Sequence, residues 1–133
     1  MNGKELIETI GEEYGVDPEY PWDDENAIFR HRENRKWFAV LLVVSCRRLG
    51  IEREGSLEVA NLKCPPQLAG AYRSQPGFLP AYHMNKEHWI SALLDGSAED
   101  AALKELLEIS YRITRAKRRP RPKREEACET PTR

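Results

Sequence analysis

The chain has 133 residues, of which 32% are charged, with a formal net charge of -1. This length suits a single domain with its own hydrophobic core, so no disulfide or structural metal is needed for folding. The longest apolar run, residues 37–44, is too short to cross a bilayer, so we expect no membrane segment. The acidic N-terminus is unlike a signal peptide, so we expect a cytoplasmic protein. The three cysteines lack metal-binding spacing, so we expect free thiols.

The chain begins with a predicted helix followed by a loop. Asn2 and Glu5 form a capping-box pattern, and apolar residues then recur at helical spacing as far as Gly15, which can end the helix. Residues 16–26 contain two prolines and a cluster of acids, which is typical of a loop.

A hairpin and a third strand come next. Residues 27–32 alternate apolar and polar side chains, residues 36–45 form a β-rich run, and the segment between them can turn at Glu33-Asn34. The polar connection at 46–55 leads to a third alternating segment at 56–63. We expect the second strand to be central, because it is apolar on both faces.

The remaining elements are a short helix, a strand and a long helix. Two prolines can start a helix that ends before residue 75, residues 78–87 look irregular, and residues 88–94 predict a fourth strand. Residues 97–100 are expected to cap the last helix. One face of that helix is predicted to carry Leu103, Leu106, Leu107, Ser110 and Ile113.

This order predicts an α+β domain, in which an antiparallel sheet of four or more strands packs against helices. We expect residues 1–117 to form this single domain. Residues 115–124 hold seven basic residues and no acid, whereas the rest of the chain carries 14 basic residues against 22 acids. Because prolines interrupt this basic segment, we expect residues 118–133 to form a disordered tail that contacts nucleic acid or an acidic partner.

The candidates for catalysis have ordinary structural explanations. Cys64 could act as a nucleophile with His83 or His88 as its base, but a small buried cysteine is common. Asp23 and Asp24 could act as acid and base, but acids in a proline-rich loop usually cap turns. We therefore expect no catalytic residue and no enzymatic activity.

A metal site is also not expected. His83 and His88 are five residues apart, which suits ligation of one ion neither on a strand nor on a helix. His31 could supply a third ligand only through the tertiary fold. We expect neither a metal nor another cofactor.

Basic residues cluster in the two connections that flank the second strand, and such clusters can bind nucleic-acid phosphates. These connections lie at opposite ends of that strand, so they form one surface only if the sheet bends or a dimer joins them. The candidate nucleic-acid-binding residues are Arg30, Arg32, Arg35, Lys36, Arg47, Arg48, Lys63 and Lys86, with Arg53 in the second connection.

The densest polar motif runs from Pro80 to Gly96, PAYHMNKEHWISALLDG. It forms either a ligand-binding surface or a brace for irregular backbone that crosses the sheet. Trp37 and Trp89 are expected to be core anchors, and Trp22 a partly exposed lid. The candidate surface residues of the motif are Tyr82, His83, Asn85, Lys86, His88 and Trp89.

The segments YPWDDEN, RKWFAV, NLKCPP and SQPGFLPAYHMNKEHWISALLDG, followed by the amphipathic helix, resemble the MmcQ/YjbR-like family of small bacterial proteins over residues 3–115. The resemblance implies a CyaY-like α+β fold, a shape likened to double-wing DNA-binding proteins, and no firmly assigned enzymatic activity. The family pattern falls on Lys36, Phe38, Lys63, Pro80, His83, Met84, Asn85, Lys86, His88, Trp89, Leu94 and Asp95. This chain departs from simpler members in its longer connection at 46–55 and its basic tail.

The sequence therefore favours a non-enzymatic protein that binds DNA through its basic connections and tail. The alternative is a module that binds a small ligand or partner protein in a pocket near the HMNKEHW motif. We expect a monomer or a weak dimer.

Overall fold

The computed structural model describes residues 1–116, and the predicted tail lies outside them. Residues 1–116 form three α-helices, one short 3-10 helix and five strands. In chain order these are α1 (Gly3–Tyr14), β1 (Ala27–Arg30), β2 (Trp37–Ser45), the 3-10 helix (Cys46–Leu49), β3 (Ser56–Lys63), α2 (Pro66–Arg73), β4 (Phe78–Pro80), β5 (Trp89–Leu93) and α3 (Asp100–Thr114). None of the helices within residues 1–116 is long and apolar enough to span a membrane.

The strands form one antiparallel sheet in the order β1-β2-β3-β5-β4, which confirms the predicted α+β class. The sequence predicted four strands, and β4 is the additional one. It falls in the segment that was expected to be irregular. It has only three residues, too few for alternation to be visible, and Pro80 is tolerated there because β4 is an edge strand.

One face of the sheet carries the main core, beneath the three α-helices. Leu6 and Ile10 of α1 are fully buried against it, as are Leu103 and Leu106 of α3. The capping box at Asn2 and Glu5 is present, so α1 begins where the sequence predicted. Apolar side chains on alternate strand positions complete this core, and they include Phe29, Leu41, Ala60, Leu62, Ile90 and Ala92.

The opposite face of the sheet, here called the outer face, has a smaller apolar cluster. Val44, Val59 and Leu93 form its buried centre. Partly buried side chains from the 46–51 segment and the 81–83 segment pack on that centre. The outer face is therefore covered by loops rather than by α-helices, which leaves parts of it accessible.

Two details of α3 differ from the sequence prediction. The expected cap does not form, because Ser97 donates its N–H and its hydroxyl to Asp95 Oδ1, at 3.0 and 2.5 Å, in a local turn. Glu99 occupies the N-cap position without a side-chain hydrogen bond. Ile113 was expected on the buried face but is 47% exposed, whereas its neighbour Thr114 is buried.

Candidate functional site

The turn between β1 and β2 is held rigidly by hydrogen bonds. The Arg35 N–H donates to the His31 carbonyl and the His31 N–H donates to the Lys36 carbonyl, both at 3.0 Å. Asn34 accepts from the Lys36 N–H at 3.0 Å and donates to the carbonyl of Thr114, at the end of α3, at 2.8 Å. Arg35 adopts a left-handed φ of 61°, which is uncommon for a residue other than glycine.

The antiparallel register brings this turn to the same end of the sheet as Lys63. β2 begins at Trp37, β3 ends at Lys63 and β5 begins at Trp89, so these three positions share one end. The Ser110 hydroxyl joins β2 to β3 there, because it donates to the Phe38 carbonyl at 2.5 Å and accepts from the Lys63 N–H at 2.8 Å. The Lys63 ammonium lies 5.3 Å from the centre of the Trp89 ring, within cation–π range.

The 84–88 part of the motif extends this end of the sheet. The His88 carbonyl accepts from the Cys64 N–H at 2.7 Å, and the Lys86 carbonyl accepts from the Arg73 guanidinium at 3.3 Å. Asn85 caps the local turn, since its side chain accepts from the Glu87 N–H at 2.8 Å. We call the resulting cluster the basic end, and it comprises Arg32, Arg35, Lys36, Lys63, Arg73 and Lys86.

The other predicted cations lie elsewhere or are paired. Arg30 forms an ion pair with Glu19 at 2.8 Å, so its charge is already balanced by a carboxylate. Arg47 and Arg48 lie beyond the far end of β2, in the 3-10 helix, so β2 separates them from the basic end. Arg53 is 3.9 Å from the Asp95 carboxylate.

An open cleft of 630 Å³ lies on the outer face, beside residues 42–45 of β2. Leu42 and Val44 supply apolar lining, and Trp22, 57% exposed, supplies a flat wall that also packs edge-on against Trp37 at 5.8 Å. Tyr82 forms a second aromatic wall. His83 and Arg48 also line the cleft.

A buried polar network fixes Tyr82 beside this cleft. Asn61 donates to the Tyr82 carbonyl at 2.9 Å, and the Tyr82 N–H donates to Ser91 Oγ at 2.8 Å. The two side chains are fully buried and joined by a 2.5 Å hydrogen bond from Ser91 to Asn61. Neither residue was predicted from the sequence. The available signal was an asparagine in β3 on the same face as Val59.

The motif residues therefore divide between two places. Tyr82 and His83 line the cleft, whereas Asn85, Lys86 and His88 are exposed beside the basic end. Trp89 is only 8% exposed, which confirms it as a core anchor and removes it from the accessible surface. Trp22 is a partly exposed cover beside Trp37, as expected. Trp37 itself is only half-buried and lies outside the buried core, so its prediction as a core anchor was wrong.

The residues considered for catalysis have structural roles. Burial raises the pKa of the Cys64 thiol, which disfavours the thiolate, and the thiol donates to the Pro65 carbonyl at 3.4 Å. Asp23 caps its own turn by accepting from the Glu25 and Asn26 N–H groups at 2.8 and 2.7 Å. Those hydrogen bonds lower the pKa of Asp23. No three His, Cys, Asp or Glu side chains within residues 1–116 are placed to hold a metal ion.

The family model described as YjbR matches residues 12–113, which is most of the chain. The protein belongs to the YjbR family. This confirms the resemblance seen in the sequence, including its coverage of nearly the whole domain.

Similar proteins and solved structures support the assignment to the YjbR family. The uncharacterized protein YyaQ of Bacillus subtilis is 35% identical over 117 residues, which cover 86% of this chain and 99% of YyaQ. A crystal structure of a Pseudomonas syringae protein is 39% identical, with a TM-score of 0.83 over 86% of this chain and 100% of that one. The Deinococcus radiodurans protein DR2400 is 25% identical, with a TM-score of 0.66 over 94% and 86% of the two chains. None of these names assigns a function.

His31 links the basic turn of this YjbR-family protein to α3. Its ring is buried between those of Phe38 and Tyr111, with centroids 5.1 and 4.6 Å away. Its Nε2 atom lies 2.8 Å from the Thr114 hydroxyl, which donates to the Ser110 carbonyl at 2.7 Å. The ring is therefore placed to donate from Nε2 as a neutral imidazole.

Lowering the pH is expected to destabilise the protein through His31. Desolvation lowers the pKa of His31 below its usual 6.5, so the folded chain binds fewer protons than the unfolded chain. The free energy of unfolding should then fall as the pH drops through 6.5 and level off below the folded-state pKa. Urea denaturation between pH 8 and pH 5 measures this loss.

The matched variants are His31→Gln and His88→Gln, because His88 is exposed. His31→Gln should flatten the pH dependence in this window, and His88→Gln should leave it unchanged. The lowered pKa values of Asp23, Asp95 and Asp100 place their effects below this window. An unchanged slope in His31→Gln would contradict the assignment.

Proposed function

We propose that this protein is a non-enzymatic DNA-binding protein that holds backbone phosphates at its basic end. The observation that carries the proposal is the register of β2, β3 and β5, which gathers cations from three parts of the sequence. Arg73, at the end of α2, joins them through its hydrogen bond to the Lys86 carbonyl. The 32–36 turn, Lys63 and the 84–88 segment meet at one end of the sheet. DNA phosphates are bound by such clusters of Lys and Arg.

The charge balance at the basic end favours an anionic partner. Six cations stand there against two acids of the same segments, Glu33 and Glu87. No ion pair within residues 1–116 engages any of these six cations. The rest of the body is acidic, so DNA would be repelled elsewhere and contact would be confined to this patch.

The rigidity of the 32–36 turn also supports the proposal. Asn34 ties the turn to α3, and the left-handed conformation of Arg35 is maintained by the hydrogen bond to His31. Strained backbone of this kind concentrates at functional positions. A turn held in place loses little entropy when its side chains bind phosphate.

The start of the basic segment lies beside the same turn. Thr114 accepts the hydrogen bond from Asn34, and Arg115, the first residue of the 115–124 segment, follows it directly. The segment and the basic end could therefore contact one DNA backbone together. Such a combined contact would bind with little sequence preference, because phosphate contacts carry no base information.

The test compares two triple variants of the full chain that remove equal charge. Lys36→Gln/Lys63→Gln/Lys86→Gln alters the basic end, and Arg47→Gln/Arg48→Gln/Arg53→Gln alters the opposite end. Fluorescence anisotropy with labelled duplex and single-stranded DNA gives affinity as a function of salt. Each lost phosphate contact should flatten the slope of log K against log salt by about 0.9 for duplex and 0.7 for single strands.

The basic-end variant should lose two to three such contacts, or about two units of slope on duplex. The opposite-end variant should keep the slope of the parent chain. Equal loss in both variants would show diffuse attraction rather than a site. No binding of either DNA form at low salt would refute the proposed function.

A further inference from the structure

We infer that the open cleft on the outer face is a second binding site, for a small organic anion that carries a flat ring. None of the six cations of the basic end lines the cleft, so it does not depend on the proposed DNA contact. Its 630 Å³ lies within the usual range of small-molecule sites.

The walls of the cleft match a flat apolar ring. Leu42 and Val44 offer aliphatic surface, while Trp22 and Tyr82 offer aromatic surface. Trp22 is 57% exposed, an unusual degree for a tryptophan unless a ligand or partner covers it. A ring held between these side chains would bury apolar area on both of its faces.

The charge of the cleft favours an anion. Arg48 lies on its lining, and no residue of that lining is acidic in the part of the chain the structure describes. The Arg48 guanidinium takes part in no ion pair within residues 1–116. Asp23, the acid next to Trp22 in the sequence, directs both carboxylate oxygens to its own turn. Arginine binds carboxylate, sulfonate or phosphate oxygens through paired N–H donors.

Two features that normally cost stability hold Tyr82 and His83 in position. These are buried polar side chains and a left-handed backbone conformation. Asn61 and Ser91 bury polar groups completely in order to hold both backbone groups of Tyr82. His83 adopts a left-handed φ of 59°, and its ring lies 4.1 Å from the Tyr82 ring in an edge-on arrangement. Buried polar networks and strained backbone beside a cleft are typical of a preorganised binding site.

The experiment titrates the full-length chain with 1-naphthoate and follows the backbone amides by two-dimensional NMR. The expected result is a saturable shift confined to residues 42–48, residues 81–84 and Trp22. 1-Naphthamide has the same ring without the charge and should bind about tenfold more weakly, which corresponds to roughly 1.4 kcal/mol.

Two neighbouring arginines provide the matched variants. Arg48→Gln should weaken 1-naphthoate about tenfold and leave 1-naphthamide unchanged, since a charge-assisted hydrogen bond is lost only with the anion. Arg47→Gln should stay within about twofold of the parent chain, because Arg47 is exposed but does not line this cleft. Trp22→Ala should weaken both probes equally.

Three results would overturn the inference. One is no saturable shift up to about 10 mM probe, a concentration above the Kd of most weak ligands. Another is a shift pattern centred outside the cleft. The last is equal weakening by Arg47→Gln and Arg48→Gln, which would indicate general charge attraction.

Discussion

Replacing Gly77 with alanine is expected to lower the free energy of unfolding by about 2–5 kcal/mol, from left-handed strain and overpacking together. Gly77 has a φ of +83°, and an added Cβ would lie 2.6 Å from the Ala98 Cα and nearer still to the Ala98 nitrogen. These are backbone atoms, so no side-chain rotation relieves the contact. The Gly77 carbonyl also accepts from the Leu93 N–H at 2.7 Å, and displacement would weaken that bond.

Gly96 provides the matched control for this prediction. Its φ of +92° is similar, but a Cβ there would meet no atom within 4 Å. Gly96→Ala should therefore show conformational strain alone, about 1–2 kcal/mol. Urea denaturation followed by tryptophan fluorescence measures both variants. Equal losses would mean that the approach of Gly77 to Ala98 contributes nothing to stability.

Replacing Asn61 with leucine is expected to cost about 2–4 kcal/mol, because it removes one hydrogen-bond partner from each of two polar groups. The Tyr82 carbonyl loses its donor and the Ser91 hydroxyl loses its acceptor. Leucine has a similar volume, so little of the loss should come from a cavity. Urea denaturation gives the overall change, and amide hydrogen exchange at Tyr82 reports the local loosening of the 81–83 segment.

A double-mutant cycle separates the network from general destabilisation. Asn61→Leu/Ser91→Ala should cost less than the sum of its single variants, since both singles break the same Asn61–Ser91 hydrogen bond. Ser110→Ala is the control, because Ser110 is also a buried hydroxyl with two partners but lies in α3. In Ser110→Ala, the amide hydrogen-exchange rate at Tyr82 should rise only as much as the loss of global stability requires. A local increase in Ser110→Ala would contradict the assignment.

Much of the fold follows from local patterns in the sequence. The capping box located the start of α1, and the alternation over residues 56–63 gave the bounds of β3. The hairpin was predictable because two β-rich segments flank Glu33-Asn34. Its bulge between Phe29 and Arg30 was not, since an extra residue in a strand leaves no mark on the composition.

The misses have a common physical cause, which is competition between local and tertiary contacts. Ser97 had the composition of a cap, but Asp95, two residues earlier, offers a nearer acceptor. Ile113 had the spacing of a core position, but Thr114 is buried instead through its hydrogen bonds to His31 and the Ser110 carbonyl. Polar contacts decided both outcomes, and hydrophobic periodicity does not register them.

The candidate site was predictable in composition but not in arrangement. The sequence singled out the cations of the 30–36 turn and the histidine motif, and it placed the two basic connections at opposite ends of β2. It did not reveal that Lys63 and Lys86 join the first connection, because this follows from the pairing of β3 with β5. Nor did it reveal Asn61, whose role depends on a segment 21 residues away.

The strand order has a consequence for the kinetics of folding. β1, β2 and β3 are neighbours in both sequence and sheet, so their pairing closes only short loops. β5 reaches β3 only after α2 and β4 have been passed, which makes that pairing the step with the larger entropy loss. We therefore expect the pairing of β1, β2 and β3 to be present already in the transition state for folding. The basic end and the Asn61 network should then be completed together when β5 pairs with β3.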